Sequence, residues 1–169
     1  MKVFYTDFTE IIYRRGRARA QLMPIIDHGS KIVAGHALGP AKDTDLALEA
    51  WRRAKKTLKS FRRAIEDVII HSDQDGVYIG HRWLKEVVVK SKARASYSEN
   101  GCKGNVHMES FNGRFKGENR DLFFEQEGLE SLKRVVQERI RYYNFERKHS
   151  ALGNLSPMKY LKKKGLQTR

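Results

Sequence analysis

The stretch IIHSDQDGVYIG, residues 69–80, decides how this chain folds. A branched apolar run, Val68-Ile69-Ile70, leads directly into His71, Ser72, Asp73, Gln74 and Asp75. Short continuous apolar runs suit a strand covered on both faces, so a central strand is expected over 67–73. In open α/β sheets, functional groups gather where strands end. A carboxylate there is costly to bury unless a cation or hydrogen-bond donor meets it. A lone Asp after a strand is also an ordinary helix cap. The meaning of Asp73 therefore depends on whether other carboxylates converge on it.

Upstream, VFYTDFTEIIY (3–13) is β-branched and aromatic and reads as a first strand. Period-two alternation puts Val3, Tyr5, Asp7, Thr9 and Ile11 on one face, with Asp7 mid-strand. RRGRAR (14–19) reads as a hairpin turn, followed by a strand over 20–27, the turn Asp27-His28-Gly29-Ser30 and a third strand, KIVAGHALG. Pro24 cannot donate to a strand ladder, so a bulge or unpaired backbone is expected there. From Thr44 the period changes: Ala47, Trp51, Ala54, Leu58, Phe61 and Ile65 form one helical stripe, capped by Thr44 or Asp45.

Downstream of residue 73, Ile79, Trp83, Leu84, Val87 and Val88 predict a helix over 79–91. A short strand over 93–97, the loop SENGCKGN, a helix from about His107 and a long helix over 128–146 follow. The order predicts an α/β mixed sheet with helices on both faces.

The chain has 169 residues, enough for one domain with its own core. Its single cysteine, Cys102, excludes an intrachain disulfide and a thiolate metal cage, and fits a reducing compartment. No apolar run approaches the about 20 residues of a membrane span, and the N-terminus has no signal-peptide shape. A soluble cytoplasmic protein with no membrane partner is expected. Thirty-four Lys+Arg against 20 Asp+Glu give a net charge of +14, which favours a polyanionic partner, nucleic acid first.

Three carboxylates stand out. Asp7 interrupts an apolar strand, Asp73 ends another, and Glu109 falls in the first turn of the helix HMESFNGRFKGE. Glu109, Gly113 and Lys116 share one face of that helix. Each has an ordinary alternative: an edge-strand surface residue for Asp7, a cap for Asp73, a helix-start preference for Glu109. Asp27 and Asp75 read as turn or cap residues.

Together, YTDFT, HSDQDGVY and KGNVHMESFNGRFK, with thirty-five residues between Asp73 and Glu109, resemble the DDE motif of the retroviral-integrase superfamily. The chain is most similar in pattern to catalytic subunits of bacterial insertion-sequence transposases of the integrase-core type. IIDHGSKIVAGHALG resembles that family's second and third strands, and YNFERKHSALGNLSPMKYL its C-terminal signature. The resemblance implies a ribonuclease H-like fold: a five-stranded mixed sheet, its second strand antiparallel, flanked by helices. It implies an integrase-core catalytic domain over 1–165 and a short tail over 166–169, with the family's upstream DNA-binding region absent.

The resemblance also implies that Asp7, Asp73 and Glu109 are catalytic and hold Mg²⁺ or Mn²⁺, with two ions when DNA is bound and Asp7 bridging them. Hard oxygen ligands suit these ions, and two of them about 3.5–4 Å apart can serve an in-line displacement at phosphorus. The implied reaction is hydrolysis at a transposon end, then attack of the freed 3′-hydroxyl on target DNA. The implied partners are double-stranded DNA (transposon ends and target), a separate or missing DNA-binding subunit, and further copies of this chain on DNA.

Lys103, Asn105, Arg114 and Lys116 are the expected DNA contacts. Arg52, Lys55, Lys56, Lys59, Arg62 and Arg63 form a second basic face, or a solvated helix exterior. His71 is expected to shape the turn before Asp73 and His149 to make a structural hydrogen bond, while His107 receives no role. Lys162–Lys164 read as a solvated end. The sequence departs from the family at Gly104-Asn105, where Asp-Asn is common, and at Lys148, where Pro is common. Two other readings stay open: a DNA-binding or assembly fragment of a decayed transposase without turnover, and a ribonuclease H-like nuclease.

Overall fold

The computed structural model describes residues 1–66, 68–98 and 105–166. One sheet is built from β1 (Val3–Thr6), β2 (Thr9–Tyr13), β3 (Ala18–Asp27), β4 (Val33–Gly39), β5 (Ile69–Ser72) and β6 (Arg94–Tyr97). β1 and β2 both pair antiparallel with β3, and they keep one register: Thr6 faces Ile25 and Thr9 faces Leu22. They are two halves of a single strand, broken at Asp7-Phe8. Continuing the register sets Asp7 opposite Pro24, which has no N–H to donate. The interruption anticipated at Pro24 therefore falls on its partner strand, and the Thr6 hydroxyl instead donates to the Pro24 carbonyl at 2.9 Å. A register shift at Ile25/Ile26 against β4 adds a bulge one residue on.

Counting β1/β2 as one, the spatial order is β4-β3-β1/β2-β5-β6, with β3 antiparallel to its neighbours and β5 and β6 parallel to β1. This is the five-stranded mixed sheet expected from the sequence.

The helices lie in two layers. On one face, α1 (Thr44–Ser60) buries Leu46, Ala47, Ala50, Trp51, Ala54 and Leu58 against β3 and β4. Its cap is Asp43, whose carboxylate accepts from the Leu46 N–H at 2.8 Å, rather than Thr44 or Asp45. Tyr78 and Trp83 complete that core. On the other face, α4 (Val106–Phe124) and α5 (Leu129–Phe145) bury Met108, Phe111, Phe115, Leu132, Val136 and Ile140 against Ile11, Leu22 and Val33. α6 (Pro157–Lys163) packs on α5, with Ser156 as its cap.

The helix expected over 79–91 is instead three pieces: α2 (Gly76–Ile79), α3 (His81–Leu84) and a π-helical segment, Lys85–Lys90. Gly80 is extended and breaks the first from the second. Each wider π turn then delays the stripe. Ile79 and Val88, read as buried from an uninterrupted period, are 52% and 38% exposed.

β4 is an edge strand, and part of its edge is closed by a side chain. The buried Asn144 of α5 accepts from the Val33 N–H at 2.9 Å and donates to the Val33 carbonyl at 3.0 Å. Asn144→Ala would leave both backbone groups buried without partners. We expect a loss of about 2–3 kcal/mol in urea unfolding; a loss within experimental error would show that water replaces the amide there.

Candidate active site

The parallel register of β1 and β5 aligns Val3 with Ile69 and Tyr5 with His71. Extended by two residues, it sets Asp7 beside Asp73, each just past its strand. The charges feel each other. The Asp7 carboxyl is pushed up from 3.8 to about 6, chiefly by burial and next by the negative charge of Asp73. The Phe8 backbone N–H and Lys42 act in the opposite direction. Two carboxylates held together with too little counter-charge are a donor set that fits a divalent cation.

The surroundings stiffen this pair. Asp73 accepts from the Asp75 N–H at 3.2 Å. Asp75 caps α2 through the Val77 N–H and pairs with Lys42 at 2.6 Å, which holds its carboxyl below the ordinary value despite partial burial. Tyr78 lies beneath: its phenol is buried, and burial together with the Asp7 charge drives its pKa well up, so it stays neutral. Phe8 stacks on it with ring centroids 5.6 Å apart.

Glu109 arrives from the other layer. Asn105 donates its side-chain N–H to the Thr6 carbonyl at 3.0 Å, and its own carbonyl accepts from the Met108 and Glu109 N–H groups. The first turn of α4 is thereby tied to the residue preceding Asp7, with Glu109 exposed one turn further along. The three carboxylates do not close into one cluster: among the described residues, no three His, Cys, Asp or Glu side chains lie close enough to hold a metal ion. Asp7 and Asp73 are neighbours, and Glu109, exposed on α4, does not complete a three-ligand group with them.

The expected DNA contacts separate. Asn105 is 3% exposed and its amide serves as a latch to β1, so it is a structural residue rather than a surface contact. Arg114 is exposed on α4, and Lys116 is half-buried on another side of the same helix. Lys103, Gly104 and Cys102 lie outside the described residues. Asp27 is a turn residue, accepting from the Ser30 N–H and hydroxyl at 2.7 and 2.6 Å. His71 bonds Ser96 at 3.0 Å between neighbouring strands. His149 stacks edge-on to Tyr143, its backbone N–H donating to the Leu155 carbonyl.

Sequence reasoning missed Lys42, whose charge acts on Asp7 and pairs with Asp75, because it sits in the aperiodic segment before α1. It also missed the rings gathered around Tyr5: His28, His71 and His107, with centroids 5.4, 5.3 and 4.7 Å from it. Tyr5 and His71 could have been found from the strand register, His28 and His107 only from the fold.

Residues 92–157 match the integrase core domain family. Among curated proteins, an uncharacterized transposase-like protein of Haemophilus influenzae is 29% identical over 160 residues, covering 92% of this chain and 68% of the relative. The putative transposase InsK for insertion sequence element IS150 of Escherichia coli is 30% identical over 158 residues, 92% of this chain. The chain spans 52% of that relative, about half its length. Among solved structures, the HTLV-2 integrase catalytic core domain in complex with magnesium superposes with a TM-score of 0.66 at 12% identity, covering 92% of this chain and 91% of that one. The BIV integrase catalytic core domain gives 0.60 at 13% identity, covering 97% and 96%. The fold is that of these integrase cores, which is ribonuclease H-like.

Proposed function

We propose that this chain, an integrase-core protein of the insertion-sequence transposase kind, is a catalytic core for divalent-metal-dependent phosphodiester hydrolysis and DNA strand transfer in transposition. The observation that carries the reading is the pair Asp7 and Asp73 at the ends of neighbouring parallel strands, with Asp7 pushed up to about 6. Asp7 and Asp73 would hold Mg²⁺ or Mn²⁺, and Glu109 is the third ligand in this proposal. Such an ion supplies Lewis-acid stabilisation of the attacking and leaving oxygens of an in-line displacement. The solved HTLV-2 core carries magnesium, which supports the same use here.

The chain's own residues bind and orient. Lys42 keeps Asp75 engaged and so fixes the loop that carries Asp73. Asn105 couples α4 to β1, so Glu109 is carried on a helix whose start is anchored to the residue before Asp7. Arg114 and Lys116 on α4, with Lys103 in the preceding loop, would meet phosphates. Phosphate contacts give affinity and register without sequence readout. Arg52, Lys56, Lys59, Arg62 and Arg63 on and just after α1 are exposed on the opposite side of the sheet, a second place for DNA in an assembly of several copies.

The separation of Glu109 from the aspartates favours a second reading, a DNA-binding or assembly fragment without turnover. One experiment separates the two. Labelled oligonucleotides bearing end sequences from the flanking genome are incubated with the protein in Mn²⁺ and, in parallel, in EDTA. The proposal expects nicked and joined products in Mn²⁺ only, and Glu109→Gln to lower both by about a hundredfold with DNA binding retained. Nicking without joining would indicate a plain nuclease. Binding with no product in any metal would leave the second reading.

A further inference from the structure

A cleft of about 410 Å³ opens between the β3–β4 turn, α4 and the segment after α5. Two of its lining residues sit on the elements that carry the candidate ligands: Tyr5 is two residues before Asp7, and His107 two residues before Glu109 on α4. Its walls are unusual for a basic protein surface. They hold a patch of rings: Tyr5 is half-buried and His28 and His107 are exposed, the Tyr5–His107 centroids 4.7 Å apart and the His28–His107 centroids 4.8 Å apart. Cations line the same cleft.

Lys31, Arg114 and Lys148 line the cleft, and no described carboxylate forms an ion pair with any of them. The two acids in the wall are already engaged: Glu118 with Arg147, through a two-point contact, and Asp27 with Ser30. The cleft thus joins flat π surfaces to ammonium and guanidinium groups not held in a described ion pair, at the scale of one small ligand. It is far too small for a duplex.

We infer that this cleft receives a single unpaired nucleotide of a DNA strand, its base against Tyr5, His28 and His107 and its phosphate at Lys31, Arg114 and Lys148. Stacking on aromatic side chains tolerates any base, and the cations add affinity without sequence choice. The strand's identity as DNA rests on the function proposed above. The site itself rests on the rings and on the cations that line the cleft. The occupant then lies against the strand that leads to Asp7 and the helix that carries Glu109, so an unpaired nucleotide near the reacting phosphate would sit in this cleft rather than in solvent.

The test is fluorescence anisotropy in EDTA, so that its outcome does not depend on turnover. A blunt duplex is compared with the same duplex carrying a three-nucleotide single-stranded tail, and with a tail of abasic sugar-phosphates. The tailed duplex is expected to bind about tenfold more tightly than the blunt one, and the abasic tail to lose most of that gain. The double substitution His28→Ala with Lys148→Gln should reduce the gain below about twofold while blunt-duplex binding changes little. Lys31→Asn, which keeps a residue tolerant of the positive φ at that position, should act in the same direction.

Equal binding of blunt and tailed duplexes overturns the inference, as does a gain that survives the abasic tail or the double substitution. Free dAMP that cancels the gain without displacing blunt duplex would assign the cleft to mononucleotides with the same recognition chemistry. A protein that nicks nothing in Mn²⁺ yet keeps the tail preference loses the proposed function and keeps the cleft.

Discussion

Gly35→Val should unfold this protein or leave it barely folded at room temperature. Gly35 sits in β4 opposite Ile25, directly under α1. A Cβ at Gly35 would collide with the Ala50 carbonyl oxygen and the Ala54 nitrogen, and would come within 2.9 Å of the Ala54 Cβ. Two of the three obstacles are helix backbone, which cannot rotate away as a side chain can. Ala50 and Ala54 are fully buried, so the helix must lift from the sheet and open the core around Trp51 and Leu58. Overpacking of side chains costs about 1–3 kcal/mol. Displacement of a whole helix should cost about 4–5 kcal/mol, a large part of the roughly 5–15 kcal/mol that holds a domain.

Gly113→Ala is the contrasting control. A Cβ at Gly113 meets nothing within 4 Å inside α4, and alanine should stabilise by about 0.5–1 kcal/mol. Chemical denaturation of both variants checks the pair. Native-like stability of Gly35→Val would mean that α1 does not pack on β4 as described.

That contact illustrates what the sequence could and could not disclose. The α1 stripe from Ala47 to Leu58 was legible because its period is regular and its residues are apolar. The small residues Ala50 and Ala54 declare no partner, so their fit against Gly35 needed the sheet. The break at Asp7-Phe8 was legible in cause, since Pro24 lacks an N–H, but not in location, because a ladder defect appears on the strand that loses its donor. The segment 76–90 misled for a physical reason. Ile79, Val88 and Val89 are apolar yet exposed, and hydrophobic periodicity assumes that apolar residues face inward along one unbroken helix. An extended Gly80 and a π-helical stretch violate that assumption.

The site divides similarly. Asp7 and Asp73 each mark a strand end, and parallel pairing of those strands brings them together with no long-range information beyond sheet order. Glu109 depends on the path into α4 through residues 99–104, which lie outside the described residues. Its helical position follows from Asn105, whose amide fastens the start of α4 to Thr6. The carboxylate pair is thus fixed by the sheet, whereas the third carboxylate is carried by a separate layer. That layer is itself packed on the sheet through Met108, Phe111 and Phe115, so the place of Glu109 is set by helix packing rather than by strand register.

Asp7→Asn should separate chemistry from stability in opposite directions. In Mn²⁺, strand nicking should fall by about a thousandfold or more if Asp7 and Asp73 are the proposed ligand pair, because one of the two carboxylates is gone. In EDTA the same substitution should make the protein more stable. The Asp7 carboxyl has a folded pKa near 6 against an ordinary 3.8, so between these values the folded state keeps a proton that the unfolded chain has released. Stability from this group therefore falls as pH rises from about 4 to about 6, and the penalty is complete above pH 6. Discounted for partial solvation, it amounts to about 1–2 kcal/mol, which asparagine removes.

His36 and His149 have pKa values lowered to about 4, both chiefly by burial. They act the other way, costing stability as pH falls from 6.5 towards 4. The Asp7 contribution must then be read as the difference between wild type and Asp7→Asn at each pH. That difference should be near zero at pH 4, grow through pH 6 and stay flat to pH 8. Adding Mg²⁺ at pH 7.5 should raise the melting temperature of the wild type and leave that of Asp7→Asn unmoved, since only the paired carboxylates gain from a counter-charge. A wild type indifferent to Mg²⁺, together with a substituted protein no more stable in EDTA, would mean that Asp7 and Asp73 are not electrostatically strained. The case for a metal-dependent active site at these strand ends would go with it.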